Sequence, residues 1–163
     1  MKSKMEPLYL DTNAFYFFFF EHREYTDGIK KVFSKIQKGK YKGITNCITL
    51  DELAYVILMR LIERKYKRHP SNVLRERKSV ILEFIDDIKG VFDVILSFDN
   101  LEIVGVDKNI IGLIPIVMEE NILLPRDCIH LQTMRDKDCR LILSTDKDFD
   151  NIGGIERIRP DEL

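Results

Sequence analysis

Four carboxylates, Asp11, Glu52, Asp127 and Asp146, stand where a fold could gather them, and Asp148 follows two residues behind the last. Asp11 ends the apolar run Leu8-Tyr9-Leu10 and precedes Thr12-Asn13. Asp146 comes just after the run Leu141-Ile142-Leu143, in Ser144-Thr145-Asp146-Lys147-Asp148-Phe149. Glu52 falls in the first turn of a long helical pattern, and Asp127 follows Pro125-Arg126 at the start of another. Carboxylates brought together repel and raise each other's pKa, so a fold that gathers them calls for a compensating cation. No His/Cys set has zinc spacing, which leaves the hard cations Mg²⁺ or Mn²⁺ as the natural choice. Held by oxygen ligands, such an ion suits phosphoryl chemistry, where it assists both the attacking water and the leaving oxygen. The hydroxyls of Thr12, Ser144 and Thr145 and the amide of Asn13 are placed to orient ligands or water from behind.

Each acid also has a plain structural use. Asp11 could cap a helix. Thr49-x-x-Glu52 matches a capping box, in which the glutamate reaches back to the cap residue's N–H. Asp127 sits where a helix macrodipole favours a negative charge, and Asp146 could belong to an ordinary turn. The joint pattern is more specific than any member: two acids follow apolar strands, and two more occupy helix starts between them.

The elements that must position these residues alternate strand with helix. A strand over 8–10 leads into a helix capped by Thr12 or Asn13, whose aromatic block, residues 16–20, is either core or a docking face. Helical spacing follows over 26–38, with Gly39 at its C-terminal cap. A strand over 41–45 precedes a helix opened by Thr49 and running to about Lys67. After the break His69-Pro70-Ser71, with Ser71 as cap, another helix is expected to about Lys89, closed by Gly90. Residues 91–100 fit strand or helix equally. A strand over 101–106, a helix capped by Asp107 and kinked or shortened by Pro115, the helix after Pro125, and strands over 141–143 and 155–158 complete the chain. This alternation predicts an α/β fold: a three-layer α/β/α sandwich around a central, mostly parallel sheet of four to five strands.

The 163 residues make one domain, 1–163, with room for a core. A formal net charge of −1 gives no overall attraction to nucleic acid, so any such affinity must be local. Three cysteines, an odd number without a Cys-x-x-Cys pair, argue against a disulfide framework and fit a reducing cytoplasm. The start lacks a signal-peptide core, and no apolar run is long enough for a membrane span.

The ordered set Leu10-Asp11-Thr12-Asn13, Leu50-Asp51-Glu52-Leu53, Pro125-Arg126-Asp127-Cys128-Ile129-His130 and Ser144-Thr145-Asp146-Lys147-Asp148-Phe149 resembles a PIN domain over nearly the whole chain. The resemblance implies a PIN-like sandwich and Mg²⁺- or Mn²⁺-dependent cleavage of RNA. Single-domain members of this size are often toxins of the VapC kind, paired with a small antitoxin and dimeric. Position by position, it implies Asp11, Glu52, Asp127 and Asp146 as the catalytic quartet, with Asp11, Asp127, Asp146 and Asp148 toward the metal. Asn13 and Ser144 match its polar helpers. The charged segment 70–100 is long for a minimal toxin, and Asp150 has no assigned role.

Of the basic residues, Arg126 and Lys147 flank motif acids and are expected at the cleft rim, in contact with RNA phosphates. The clusters at 64–68 and 75–78 read as solvated helix faces. His130 shares a helix face with Asp127 but is taken as structural. Cys128 is taken as core. The alternative to an endonuclease is a PIN-fold module that binds RNA or a protein and cuts nothing. A phosphotransferase with Asp11 as nucleophile is a third option, though Asn13 stands where such sites carry a second Asp.

Overall fold

A computed structural model describes residues 5–163. Five strands form one parallel sheet in the order β3-β2-β1-β4-β5. They are β1 (Glu6–Leu10), β2 (Tyr41–Asn46), β3 (Leu101–Val104), β4 (Leu141–Leu143) and β5 (Glu156–Ile158). The helices are α1 (Thr12–Phe19), α2 (Thr26–Gln37), α3 (Cys47–Tyr66), α4 (Pro70–Glu76), α5 (Ile85–Leu96), α6 (Lys108–Asn121) and α7 (Pro125–Asp136). The three-layer parallel sandwich read from the sequence is the fold observed.

Alternation along β1 sets the two layers, because successive side chains of a strand point to opposite faces. Leu8 and Leu10 pack with Ala14, Phe15, Ile29, Phe33, Leu53 and Ile57, which puts α1, α2 and α3 on one side. Tyr9 faces the other way, into a core with Val117, Leu131 and Met134 of α6 and α7. The aromatic block of α1 packs against the first of these cores, as do Leu53 and Ile57 of the α3 stripe. Gly39 ends α2 at φ +71°, where a residue without Cβ carries no steric penalty.

Several local expectations need correction. Of the caps considered for α1, Asp11 takes the role in place of Thr12 or Asn13, accepting from the Thr12 N–H at 2.7 Å. Asn46 caps α3 through the Thr49 N–H at 3.0 Å, so Thr49 lies inside the helix and no capping box forms. Pro70 opens α4 after His69 without a Ser71 cap. The helix expected to reach Lys89 breaks at Arg77 into 3₁₀ turns over Lys78–Phe84. Helix α5 then runs through Gly90 to Leu96, so 91–96 is helical. Helix α6 continues past Pro115 to Asn121, so the proline does not shorten it. No helix among the described residues is long and apolar enough to cross a membrane.

Segment 70–100 builds a satellite core on the end of α3, where Val73, Val80 and Phe84 bury Ile62. Glu83 holds this annex to α3 through Lys65 and Tyr66, and Arg77 reaches both Glu83 and Tyr66. Arg68 forks onto Glu76. Of the two basic clusters, Lys65, Arg68 and Arg77 thus staple the segment. Lysine and arginine neighbours hold the Glu76 and Glu83 carboxyls below their ordinary range.

Candidate metal centre

Register brings the site together. Leu10 pairs with Leu143 across β1 and β4, and Tyr9 with Ile44 across β1 and β2. The next residues on three neighbouring strands, Asp11, Asn46 and Ser144, therefore emerge level at the carboxyl edge of the sheet. That edge is where open parallel sheets bind ligands.

Ser144 is the hub. Its hydroxyl donates to Asp11 Oδ2 at 2.6 Å and lies 2.9 Å from the Asp146 N–H, which donates to it. Asn13 Nδ2 donates to Asp11 Oδ2 at 2.8 Å and to Ser144 Oγ at 3.1 Å, while its Oδ1 accepts the Thr145 N–H at 3.0 Å. Asn13 and Ser144 thus both hydrogen-bond the Asp11 carboxylate. Thr145 serves through its backbone. Thr12 donates its hydroxyl to Glu52 Oε2 at 2.8 Å instead of supporting Asp11 with it.

Helix α6 ends on Ile122 in the left-handed region, φ 55°, and the chain turns into Pro125 at the first position of α7. This places Asp127 in the first helical turn, half-buried and aimed at the sheet edge. Oxygens of Asp127, Asp146 and Asp148 all lie within 4.8 Å of one another. Burial, then the charges of Asp146, Asp11, Asp148 and Glu52, push the Asp127 carboxyl up to about 6. All three donors are hard oxygens in a site short of positive charge, which fits a hard divalent cation. Asp11 stands just outside this trio, with donors already on both oxygens. Glu52 also stands apart, shared between Thr12 and Arg126, whose Nη1 is 3.0 Å from Oε1.

Asp127 and Asp146 open into a cleft of about 670 Å³, which Tyr16, Tyr55, Met59 and Arg126 also line. Arg126 is where the sequence put it, but held by Glu52. Lys147 is exposed and does not line this cleft.

Three contributors were missed. Asp150 forms a two-point pair with Arg157, both contacts at 2.7 Å, and Arg157 also donates to the Ser144 carbonyl at 3.1 Å. That pairing fixes the loop after β4 and gives Asp150 its place. Asn46 is the second. The third is His130, buried beneath the cleft with Nε2 at 3.9 Å from Asp11 Oδ1. Its only sequence signal was the three-residue step from Asp127.

A parallel α/β/α sandwich with an acidic cleft at the carboxyl edge of its sheet is the class this chain falls into. More narrowly, it belongs to the PIN domain family, whose profile matches residues 8–155. The fold is similar to that of VapBC2 from Rickettsia felis, solved bound to a DNA fragment from its promoter: TM-score 0.58, 16% identity, 93% of this chain and 97% of that one. It is similar to a toxin–antitoxin complex from Klebsiella pneumoniae: TM-score 0.55, 18% identity, 94% and 97%. It is also similar to VapC20 of Mycobacterium tuberculosis, a sarcin-ricin loop cleaving toxin: TM-score 0.59, 14% identity, 90% and 95%. No curated protein sequence matches the chain.

Proposed function

We propose that the chain is a divalent-cation-dependent ribonuclease, an endonuclease that hydrolyses RNA phosphodiester bonds, and the toxin of a toxin–antitoxin pair. The observation that carries the chemistry is the convergence of Asp127, Asp146 and Asp148 within 4.8 Å. Asp127, Asp146 and Asp148 would hold Mg²⁺ or Mn²⁺, with Asp11 at the edge of the ion's reach. When bound there, the ion supplies Lewis acidity and offsets the charge of the phosphate. Asn13 and Ser144 hold Asp11 rigid. Glu52 keeps Arg126 at the rim, where the rest of its guanidinium faces the strand to be cut, and Lys147 adds a second cation nearby.

RNA as substrate is supported by membership in the PIN family and by the likeness in fold to an RNA-cleaving toxin. An antitoxin partner is supported by the likeness to chains solved with theirs. A homodimer and a cytoplasmic setting belong to the same reading. Solution scattering at high concentration checks the first, where a monomer would count against it.

Cleavage of RNA in Mg²⁺ or Mn²⁺ should stop on chelation and fall at least about a hundredfold in Asp146→Asn. An Asp146→Asn protein that cuts as fast as the parent would overturn the proposal. RNA binding without cutting, and without a carboxylate-dependent Mn²⁺ site, would establish the binding-module alternative.

A further inference from the structure

A buried polar network under the metal centre fixes which nitrogen of His130 carries its proton. Asn46 Oδ1 accepts the Thr49 N–H at 3.0 Å, and that contact sets the amide's orientation. Asn46 Nδ2 therefore faces Thr133 Oγ1, at 3.1 Å, and His130 Nδ1, at 3.4 Å. Thr133 already donates its own proton to the Ile129 carbonyl at 2.7 Å, so toward Asn46 it accepts. An amide NH₂ has only protons to offer, and a protonated Nδ1 beside it would set donor against donor. Nδ1 is the acceptor, and the Tyr9 hydroxyl, 2.7 Å away, donates to it. The imidazole is neutral, with its one proton on Nε2.

That Nε2–H borders the cleft and has no hydrogen-bond partner among the described residues. It faces Asp11 Oδ1 across 3.9 Å, too far for a direct bond. Among the described residues Oδ1 accepts only the Thr12 N–H, whereas Oδ2 accepts from both Asn13 and Ser144. A carboxylate has roughly four lone-pair directions, so one on Oδ1 remains. A single oxygen can sit within about 2.8 Å of both groups. It must accept from Nε2–H and donate to Oδ1. A deprotonated phosphate oxygen fails the second requirement, and a water meets both.

We infer that His130 is a positioning residue, holding with Asp11 a water on the floor of the metal centre, on the side open to the cleft. This rests on the nuclease reading for its consequence, but the tautomer stands apart from it. The same tautomer excludes His130 as a metal ligand, because the lone pair on Nδ1 is directed at Tyr9 and away from the acids.

Long-range ¹H–¹⁵N spectra of the metal-free protein should show His130 with a protonated Nε2 and a bare Nδ1. A protonated Nδ1 overturns the inference whatever the enzyme does. In cleavage assays, His130→Leu should lose about tenfold in kcat with KM nearly unchanged. His130→Gln, which restores an N–H near the Nε2 position, should recover most of that loss. Equal activity of His130→Leu and the parent would overturn the role, and so would a folded His130→Gln as slow as His130→Leu. A parent that fails to cut RNA refutes the ribonuclease reading and with it the water's role, leaving the nitrogen assignment to the spectra.

Discussion

Charge is dense in two regions of this molecule, and they handle it in opposite ways. At the end of α3, the two glutamates that pin the annex both have cations: Glu76 has Arg68, and Glu83 has Lys65 and Arg77. At the sheet edge, Asp127, Asp146 and Asp148 converge with no cation among them, and Asp127 is pushed up to about 6. The first arrangement suits a fold holding itself together. The second leaves repulsion unrelieved, which a fold retains where a ligand of opposite charge completes the site. The difference lies in what surrounds the acids more than in their number.

The sharpest way to break this comparison is to remove charge from each region. Asp127→Asn should abolish metal-dependent cleavage, a loss of at least about a hundredfold in kcat/KM, read in the RNA assay. Glu83→Gln should leave that rate within about twofold of the parent. A nuclease as sensitive to Glu83 as to Asp127 would erase the distinction.

The second contrast lies in pH. A carboxyl whose folded pKa is raised favours folding while protonated, and that contribution is lost as pH rises through about 6. Glu76 and Glu83 are lowered, so their contribution is present above the ordinary carboxylate range and fades on acidification below it. The metal-free protein should therefore melt higher at pH 5 than at pH 7, with Mn²⁺ at neutral pH reversing the order. Mn²⁺ affinity should fall as pH drops through 6, because a proton then competes for Asp127. A pH-independent affinity between 5 and 7 would contradict the placement of Asp127 in the ion site.

A smaller effect concerns stability. Asp127→Asn should stabilise the metal-free protein at pH 7.5 by about 1 kcal/mol, after discounting a half-buried group for solvent screening. The gain should shrink at pH 5, where the parent carboxyl is already neutral. Smallest of all, Glu83→Gln should lower Tm slightly, and added salt should narrow the gap, as expected for exposed ion pairs.

Strands and acids were legible in the sequence because each is marked by an abrupt local change: Leu10 to Asp11, or Leu143 to Ser144. What sequence spacing hid was competition for caps. Thr49-x-x-Glu52 has the form of a capping box, but Asn46 stands three residues earlier and takes the Thr49 N–H first. Glu52 is thereby released to Thr12 and Arg126. The 78–84 break was invisible because its apolar spacing suits a helix. It is the tertiary pull of Val80 and Phe84 into the annex core that accompanies the 3₁₀ winding. His130 and Asn46 lie 84 residues apart in sequence, and only the register of β1, β2 and β4 reveals that they meet.

Calorimetric titration of Mn²⁺ into the metal-free protein at pH 7.5 tests the shared-ion site most directly. The parent should show saturable binding that Asp127→Asn and Asp146→Asn each remove while their folded spectra stay intact. Undiminished binding in both folded variants would contradict a metal centre at these acids.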